Sequence, residues 1–260
     1  MTGEKFDSDK KYVKSVLKAL SVIELLDEHG ELGVTEIGRM LGLDKSTTFR
    51  LLATLKVKNY IASNPRTQKY NNSGKFFMLG QGVLRRRNFN PLLTLELKKL
   101  SELTREAVNF AVPDGSEVVY LASFETEEFM KLGSMIGQRR PMYCTSIGKA
   151  LLAHFRPEHT LALCRHFEYE AFTPNTLVTP EALLRDLEII RQRGHSIDNE
   201  EHYQGLYCVG VPLLDKHGEP LAAVSISMPV FRRAQDPEKH DRCVQALLAA
   251  APALQAALLS

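Results

Sequence analysis

The sequence predicts an α+β fold in two domains that a short helix connects. Three observations lead to this prediction: helical periodicity followed by two short strands within the first 73 residues, a positive charge concentrated in the same part, and mixed helix and strand patterns from Pro91 onward. The length of 260 residues suits two domains of about 100–200 residues each. We place the domains at residues 1–73 and 90–260, with the connecting helix at residues 74–89.

The first domain begins with three predicted helices. Apolar residues at three- and four-residue spacing predict a helix over residues 12–29. A second helix is expected to begin near Thr35, whose hydroxyl can cap it, and to end at Gly42. Asp44 is a favourable N-cap for a third helix over residues 45–58. Two short helices around a glycine turn predict a helix-turn-helix.

A basic hairpin and a connecting helix follow. Residues 60–62 and 69–71 are predicted strands around the turn at 63–68, which is the arrangement of a wing. Residues 75–88 are predicted to form a helix, although Gly80 and Gly82 weaken it.

The second domain mixes helices and strands. We expect the last two strands to pair as an antiparallel hairpin. The uncharged segment 244–260 contains Pro252, and a buried terminal helix explains it better than a membrane span. The predicted helices are 92–110, 146–155, 157–167 and 180–193, and the predicted strands are 117–124, about 130–135, 195–198, 206–214 and 221–228.

The charge is distributed unevenly between the two parts of the chain. Residues 1–89 carry 16 Lys and Arg against 9 Asp and Glu, a net charge of +7, which leaves the remainder at −5. No acidic residue occurs from Lys45 to Leu95. An ordinary solvated face mixes both signs, so this stretch indicates contact with a polyanion. Its basic residues are Lys45, Arg50, Lys56, Lys58, Arg66, Lys69, Lys75, Arg85, Arg86 and Arg87.

Several motifs resemble those of one bacterial family. Residues 42–55 (GLDKSTTFRLLATL) resemble the recognition-helix signature of the isocitrate lyase regulator (IclR) family. Residues 143–153 (YCTSIGKALLA), 198–202 (DNEEH) continuing through 205–212, and 225–229 (SISMP) resemble its effector-domain signatures. The resemblance implies a winged helix-turn-helix, a linker helix and a GAF-like effector domain, assembled as homodimers or tetramers. Members commonly have glycine where this chain has Met228, a change that can narrow or reshape the effector pocket.

The third helix has one face suited to reading base edges. If Thr48, Leu52 and Leu55 face the core, a 100° step per residue places Ser46, Phe49 and Arg50 on the opposite face. Arg50 can donate two hydrogen bonds to guanine, Ser46 can read either base type, and Phe49 can contact a thymine methyl. The alternative for Phe49 is packing against the wing.

Other basic and polar residues are expected to position the protein on DNA. Lys45 and Thr47 lie in the first turn of the helix, where side chains and backbone N–H groups meet phosphate. Arg66 and Lys69 on the wing, together with the arginines at 85–87, would add contacts to the DNA backbone or minor groove.

A small-molecule site is expected in the second domain. The segment Ser146-Ile147-Gly148 opens a helix, whose N–H groups and dipole favour a carboxylate. Strand alternation places Ser225 and Ser227 on one face, and Cys208 shares a face with Gly210. Asp198 can accept a hydrogen bond from a ligand. The alternative is that the serines bond to the neighbouring backbone and Cys208 fills the core, but the resemblance implies that these positions line the effector pocket.

Catalysis and metal sensing are the competing functions. Residues 144–148 (CTSIG) nearly match the G-x-S-x-G nucleophile motif, but cysteine replaces the first glycine, and no histidine lies in a recognisable triad motif. Cys164, His166, His154, His159 and His202 offer metal-ligand types at irregular spacing. The four cysteines are widely spaced without a C-x-x-C pair, so neither a zinc site nor a disulfide framework is expected.

Together these features predict a transcriptional regulator rather than an enzyme. The expected partners are double-stranded operator DNA, a second copy of the chain and a small organic acid, with no other cofactor and no membrane. The polar N-terminus of mixed charge does not resemble a signal peptide, so we expect a cytoplasmic protein. The expected role is control of a catabolic operon.

Overall fold

The computed structural model describes residues 12–86, 89–125 and 136–260, with the backbone alone for residues 84–86. The chain divides into two compact units, and the boundary lies between Val83 and Leu84. This boundary falls within the predicted connecting helix, which the structure shows as a helix over Lys75–Arg86. The predicted strand at 130–135 lies outside the described residues, as do residues 87 and 88.

The first unit contains four helices and a two-stranded hairpin among its described residues. Its core is formed by Val22, Leu26, Ile37, Leu52, Leu55 and Ile61. The hairpin strands are antiparallel, and each begins one residue later than predicted. The elements are α1 (Lys14–His29), α2 (Val34–Leu41), α3 (Lys45–Val57), β1 (Ile61–Ser63), β2 (Tyr70–Asn72) and α4 (Lys75–Arg86).

Local hydrogen bonds explain where α2 and α3 begin. The Asp44 side chain accepts a hydrogen bond from the Thr47 backbone N–H at 2.8 Å, as an N-cap does, so the predicted start of α3 is confirmed. The predicted cap of α2 is wrong. Gly33 occupies the N-cap position there, and its N–H donates to the Glu36 carboxylate at 2.7 Å. Gly42 ends α2 with a φ of +63°, a conformation that glycine adopts without strain.

The second unit is built around a six-stranded antiparallel sheet with strand order β5-β4-β3-β8-β7-β6. Helices α5 and α10 cover one face of the sheet, and α6 and α8 cover the other. Its elements are α5 (Pro91–Thr104), β3 (Ala107–Asp114), β4 (Glu117–Phe124), β5 (Arg139–Pro141), α6 (Ser146–His154), α7 (Pro157–His166), α8 (Pro180–Arg193), β6 (Ser196–Asn199), β7 (Leu206–Leu214), β8 (Pro220–Pro229), α9 (Val230–Gln235) and α10 (Lys239–Leu259).

One predicted element of this unit is wrong. The sequence predicts a helix over residues 92–110, but α5 ends at Thr104, after which Arg105 adopts a φ of +56°. Residues 107–114 then form β3, in the middle of the sheet, and its first six residues are buried. A short, continuous apolar run is compatible with a buried strand as well as with a helix, so periodicity alone did not separate them.

The terminal helix α10 packs on the sheet. Cys243, Leu247, Leu254, Ala257 and Leu258 are buried in the same core as α5. By length and composition alone, α10 is the one described helix that would be able to cross a membrane. The predicted buried terminal helix is confirmed by these core contacts.

Candidate functional site

The exposed face of α3 carries the residues predicted to read bases. Ser46, Phe49 and Arg50 are exposed, whereas Thr48 and Leu52 are fully buried in the first unit. Phe49 is 58% exposed, so the alternative in which it packs against the wing does not hold. An exposed aromatic ring beside an arginine on a basic helix is available for contact with a major groove.

Two of the residues predicted to contact phosphate also bond within the protein. Both the hydroxyl and the backbone N–H of Thr47 donate to the Asp44 carboxylate, at 2.6 and 2.8 Å. Thr47 therefore has no proton left for a phosphate in this arrangement. Lys69 forms an ion pair with Glu36 at 3.3 Å, which connects the wing to α2 and offsets its charge. Lys45 remains exposed at the start of α3.

Arg66 lies exposed at the tip of the wing. Its backbone N–H donates to the Asn64 side chain at 2.9 Å, and the Asn64 amide in turn donates to Glu31 at 2.8 Å. These bonds fix the turn while the arginine side chain stays accessible. The side chains of the predicted arginine cluster at 85–87 lie outside the described residues.

A cavity of about 150 Å³ lies between the first turn of α6 and the sheet of the second unit. Gly148 lets the first turn of α6 lie against the segment that precedes it, and Gly210 lets this turn approach the sheet. A Cβ atom at Gly148 would lie 2.3 Å from the Met142 backbone, and one at Gly210 would lie 3.0 Å from the Ser146 carbonyl group. The N-terminus of α6 therefore rests directly on strand β7.

Five of the seven predicted effector-binding residues line this cavity: Ser146, Asp198, Cys208, Ser225 and Ser227. The other two are not part of the described lining. Ile147 is buried in the core on the α6 side of the sheet. The N–H of Gly148 donates to the Thr145 hydroxyl at 3.2 Å, so the amides of Ser146 and Ile147 are the ones that the helix leaves for an anion.

The floor of the cavity is a row of polar side chains on three adjacent strands. Asp198 is opposite Cys208 in the pairing of β6 with β7, and Cys208 is opposite Ser227 in the pairing of β7 with β8. The Ser227 hydroxyl accepts a hydrogen bond from the Asn109 amide at 3.2 Å, and Asn109 accepts one from Ser123 at 2.8 Å. The partner of Ser227 is thus a side chain rather than the neighbouring backbone.

Met228 does not reshape this cavity, contrary to the prediction. Strand alternation places Ser225 and Ser227 on the cavity face of β8. Met228 lies on the opposite face, fully buried in the core that α5 and α10 form with the sheet.

Asp198 has the most perturbed carboxyl group of the lining. It is 3% exposed, and one oxygen accepts a hydrogen bond from the Glu201 backbone N–H at 2.7 Å. Burial, with a further contribution from the Glu201 charge, raises the pKa of Asp198 to about 7. The protonated carboxyl group of Asp198 can donate a hydrogen bond to a ligand, whereas the ionised form can only accept.

A buried ion cluster supports this side of the cavity. The Lys149 Nζ atom lies 2.5 Å from a Glu201 oxygen and 2.8 Å from an Asp186 oxygen, and Lys149 is only 1% exposed. Burial opposes the positive charge, but the two carboxylates outweigh it and raise the pKa of Lys149. The cluster joins α6, α8 and the loop after β6, and Glu201 connects it to Asp198.

Sequence reasoning missed the other lining residues, among them Asn109, Tyr120, Arg140 and His202. Asn109 was assigned to a helix. Arg140 belongs to a short strand of three residues, where no periodicity separates the inner arginine from the outer one. Burial, together with the Arg140 charge, lowers the pKa of His202 to about 4, so its ring is neutral near pH 7.

The residues of the catalytic alternative do not form a nucleophile site. Ser146 opens an ordinary helix behind the N-cap Thr145, without the strained turn that the motif requires. The Cys144 thiol lies 3.8 Å from the His202 Nδ1 atom, but burial raises the pKa of this thiol far above its usual range. It therefore stays protonated and is a poor nucleophile.

The metal-sensing alternative also lacks support in the described part of the chain. Among residues 12–86, 89–125 and 136–260, no group of three or more His, Cys, Asp or Glu side chains can hold a metal ion. His154 and His166 each place a ring nitrogen within hydrogen-bond distance of a carbonyl in their own helix.

Comparison with known proteins decides the family. The family model described as the bacterial transcriptional regulator IclR C-terminal domain matches residues 81–256, and that described as the IclR helix-turn-helix domain matches residues 15–65. The chain belongs to the IclR family. Its relatives carry the names of transcriptional regulators, not of enzymes. Like other members of the family, this IclR-family chain combines a DNA-binding unit with an effector-binding unit.

Three relatives illustrate the match. The transcriptional regulator KdgR of Escherichia coli K12 is 33% identical over 236 residues, covering 91% of this chain and 90% of KdgR. The crystal structure of the Thermotoga maritima IclR has a TM-score of 0.82 at 30% identity, covering 95% of this chain and 99% of that one. An IclR homologue from Microbacterium hydrocarbonoxydans, crystallised with 4-hydroxybenzoate, has a TM-score of 0.75 at 22% identity, covering 94% and 97% of the two chains.

The buried ion cluster generates a prediction about stability. Lys149→Met leaves the Glu201 and Asp186 carboxylates without their cation, so we expect the free energy of unfolding to fall by roughly 3–5 kcal/mol at pH 7.5. Burial already raises the pKa of Glu201, and removal of Lys149 raises it further. A folded-state pKa above the unfolded value favours the protonated form, so the loss should be smaller at pH 5. Urea unfolding followed by circular dichroism at both pH values measures this.

The control for this variant is Lys99→Met. Lys99 pairs with Glu96 at a similar distance of 2.7 Å, but its side chain is 57% exposed, and we expect a change below about 1 kcal/mol. Equal losses from the two substitutions would show that the buried cluster does not support the fold.

Proposed function

We propose that this IclR-family chain controls a catabolic operon in response to a small organic acid that binds in the cavity of the second unit. The observation that carries the proposal is the polar row of Asp198, Cys208 and Ser227 at the floor of a cavity closed by a helix N-terminus. Each of these groups keeps hydrogen-bonding capacity beyond its contacts within the protein, and a polar ligand can use that capacity. A protein that acts on operator DNA in this way works in the cytoplasm.

The size of the cavity and its electrostatic field indicate the class of ligand. A cavity of about 150 Å³ elsewhere accepts benzene, so the space suits a molecule of about one six-membered ring. The free amides and the dipole at the start of α6 favour negative charge. The structural relative crystallised with 4-hydroxybenzoate, a single-ring acid, supports this class but does not identify the ligand.

The DNA-binding role divides between two arginines. Arg50→Ala should cost roughly 1–3 kcal/mol of binding free energy on the operator and weaken discrimination at one base pair, since Arg50 lies on the exposed face of α3. Arg66→Ala should weaken binding to all sequences alike, because the wing tip contacts the DNA backbone. Fluorescence anisotropy with operator and random duplexes at several salt concentrations measures both effects. Equal losses on the two duplexes for Arg50→Ala would reject its base-reading role.

Assembly into dimers is expected because one short helix reads few base pairs. Apolar residues at the start of α1 and at its N-cap remain exposed, including Val13 at 64%, Val16 at 54% and Leu20 at 47%. We propose that this strip of α1, with the apolar residues of α4, forms the contact between two copies.

The double variant Val16→Glu with Leu20→Glu should therefore shift the protein toward monomer in sedimentation velocity at micromolar concentration. Val57→Glu is the matched control, since Val57 is exposed at the end of α3 and lies outside the strip. A wild-type monomer under these conditions would contradict the proposed assembly.

The response to the acid must pass from the cavity to DNA. A ligand shifts the equilibrium between two arrangements of the protein only by binding one of them more tightly than the other. A tenfold preference amounts to about 1.4 kcal/mol. Ser146→Asp places a negative charge on the cavity wall, so it should abolish the response to the acid while DNA binding remains. Ser116→Asp, in the exposed turn between β3 and β4, is the control. A band-shift titration in which Ser146→Asp keeps its full response would place the effector site elsewhere.

A further inference from the structure

Arg140 is a cation in the lining of the cavity, and no carboxylate among the described residues forms an ion pair with it. Its Nη1 atom donates to the Arg139 carbonyl at 2.9 Å, and its Nη2 atom donates to the Gln138 side chain. The guanidinium group has five N–H donors, so three remain beyond these two bonds.

The adjacent Arg139 shows the contrast on the same strand. Arg139 is exposed and donates to two carboxylates, Asp114 at 2.5 Å and Glu117 at 2.6 Å. Alternation along β5 sends the two arginines to opposite faces, so one is paired at the surface and the other lines the cavity. The two arginines therefore have the same charge and lie on the same strand, but their surroundings differ.

The described residues around Arg140 do not balance its charge. The Nε atom of Arg140 and the Nε2 atom of His202 are both buried without a hydrogen-bond partner in the described part of the chain. Of the two carboxyl groups in the described lining, Glu125 is exposed to solvent and Asp198 has a pKa of about 7, which leaves Asp198 partly neutral. A partly buried charge without a fixed partner costs free energy, and an anionic ligand removes that cost.

We propose that Arg140 is the residue that makes this cavity select a carboxylic acid over its neutral analogue. This inference rests on the proposed function of the cavity as the effector site. The planar guanidinium group binds a carboxylate with two parallel hydrogen bonds, and the α6 N-terminus supplies only partial charges. The hydroxyls of Ser225 and Ser227 and the Asp198 carboxyl group then face the remaining atoms of the ligand. The cavity is therefore suited to a small hydroxy acid.

The test compares acids with their neutral amides. The probes are glycolate, lactate, gluconate and 4-hydroxybenzoate, each beside its primary amide, titrated into the full chain by isothermal calorimetry. For wild-type protein we expect at least one acid to bind about tenfold or more tightly than its amide. Arg140→Gln should weaken the binding of that acid by about 10- to 100-fold and leave the binding of the amide unchanged. Arg140→Lys, which keeps the charge but not the planar group, should lose less.

Arg139→Gln is the matched control, because it removes the same charge from the same strand outside the cavity and should keep the preference for the acid. If Arg140→Gln protein keeps the full preference for the acid over its amide, the proposed role of Arg140 is wrong, but the cavity can still be the effector site. If no acid binds wild-type protein at millimolar concentration, the proposed function fails, and the inference with it. Thermal unfolding of each variant verifies that it is folded.

Discussion

The second unit depends on a buried lysine. Lys149 holds Glu201 and Asp186 at 2.5 and 2.8 Å, and these three residues belong to α6, the loop after β6 and α8. Because an unpaired buried charge is costly, the three segments are held together more strictly than apolar contacts alone would require. The backbone N–H of Glu201 then donates to Asp198, so the same cluster fixes the one carboxyl group at the floor of the cavity. Glu201 thus connects the ion cluster to the cavity.

One face of the sheet is covered by an apolar core, and the other also holds the polar cavity. On the side of α5 and α10, residues such as Val224, Ile226 and Met228 form a continuous apolar core. On the side of α6, the same strands present Ser225 and Ser227, and Gly210 lets the helix N-terminus approach. Neighbouring residues of a strand point to opposite faces, so the same strands can contribute to the apolar core on one side and to the polar cavity on the other. A polar cavity can therefore exist within a few ångströms of a closely packed core.

The sequence predicts the parts of this structure that local chemistry determines. Asp44 marks the start of α3 because a side-chain cap acts within three residues, and the periodic burial of α3 follows from Thr48, Leu52 and Leu55. Strand β3 was missed because a buried strand and a helix are both compatible with one apolar run. The ion cluster was missed for a different reason. Lys149 lies 37 and 52 residues from its partners, so only the folded chain brings the three charges together.

Hydrogen exchange followed by mass spectrometry, with and without the acid that binds most tightly, tests most directly whether the cavity of the second unit is the effector site. We expect the acid to slow exchange at the start of α6, along β5 and along β6, the segments that hold Ser146, Arg140 and Asp198. Slower exchange confined to the first unit, or to the α5 and α10 face of the sheet, would contradict this expectation.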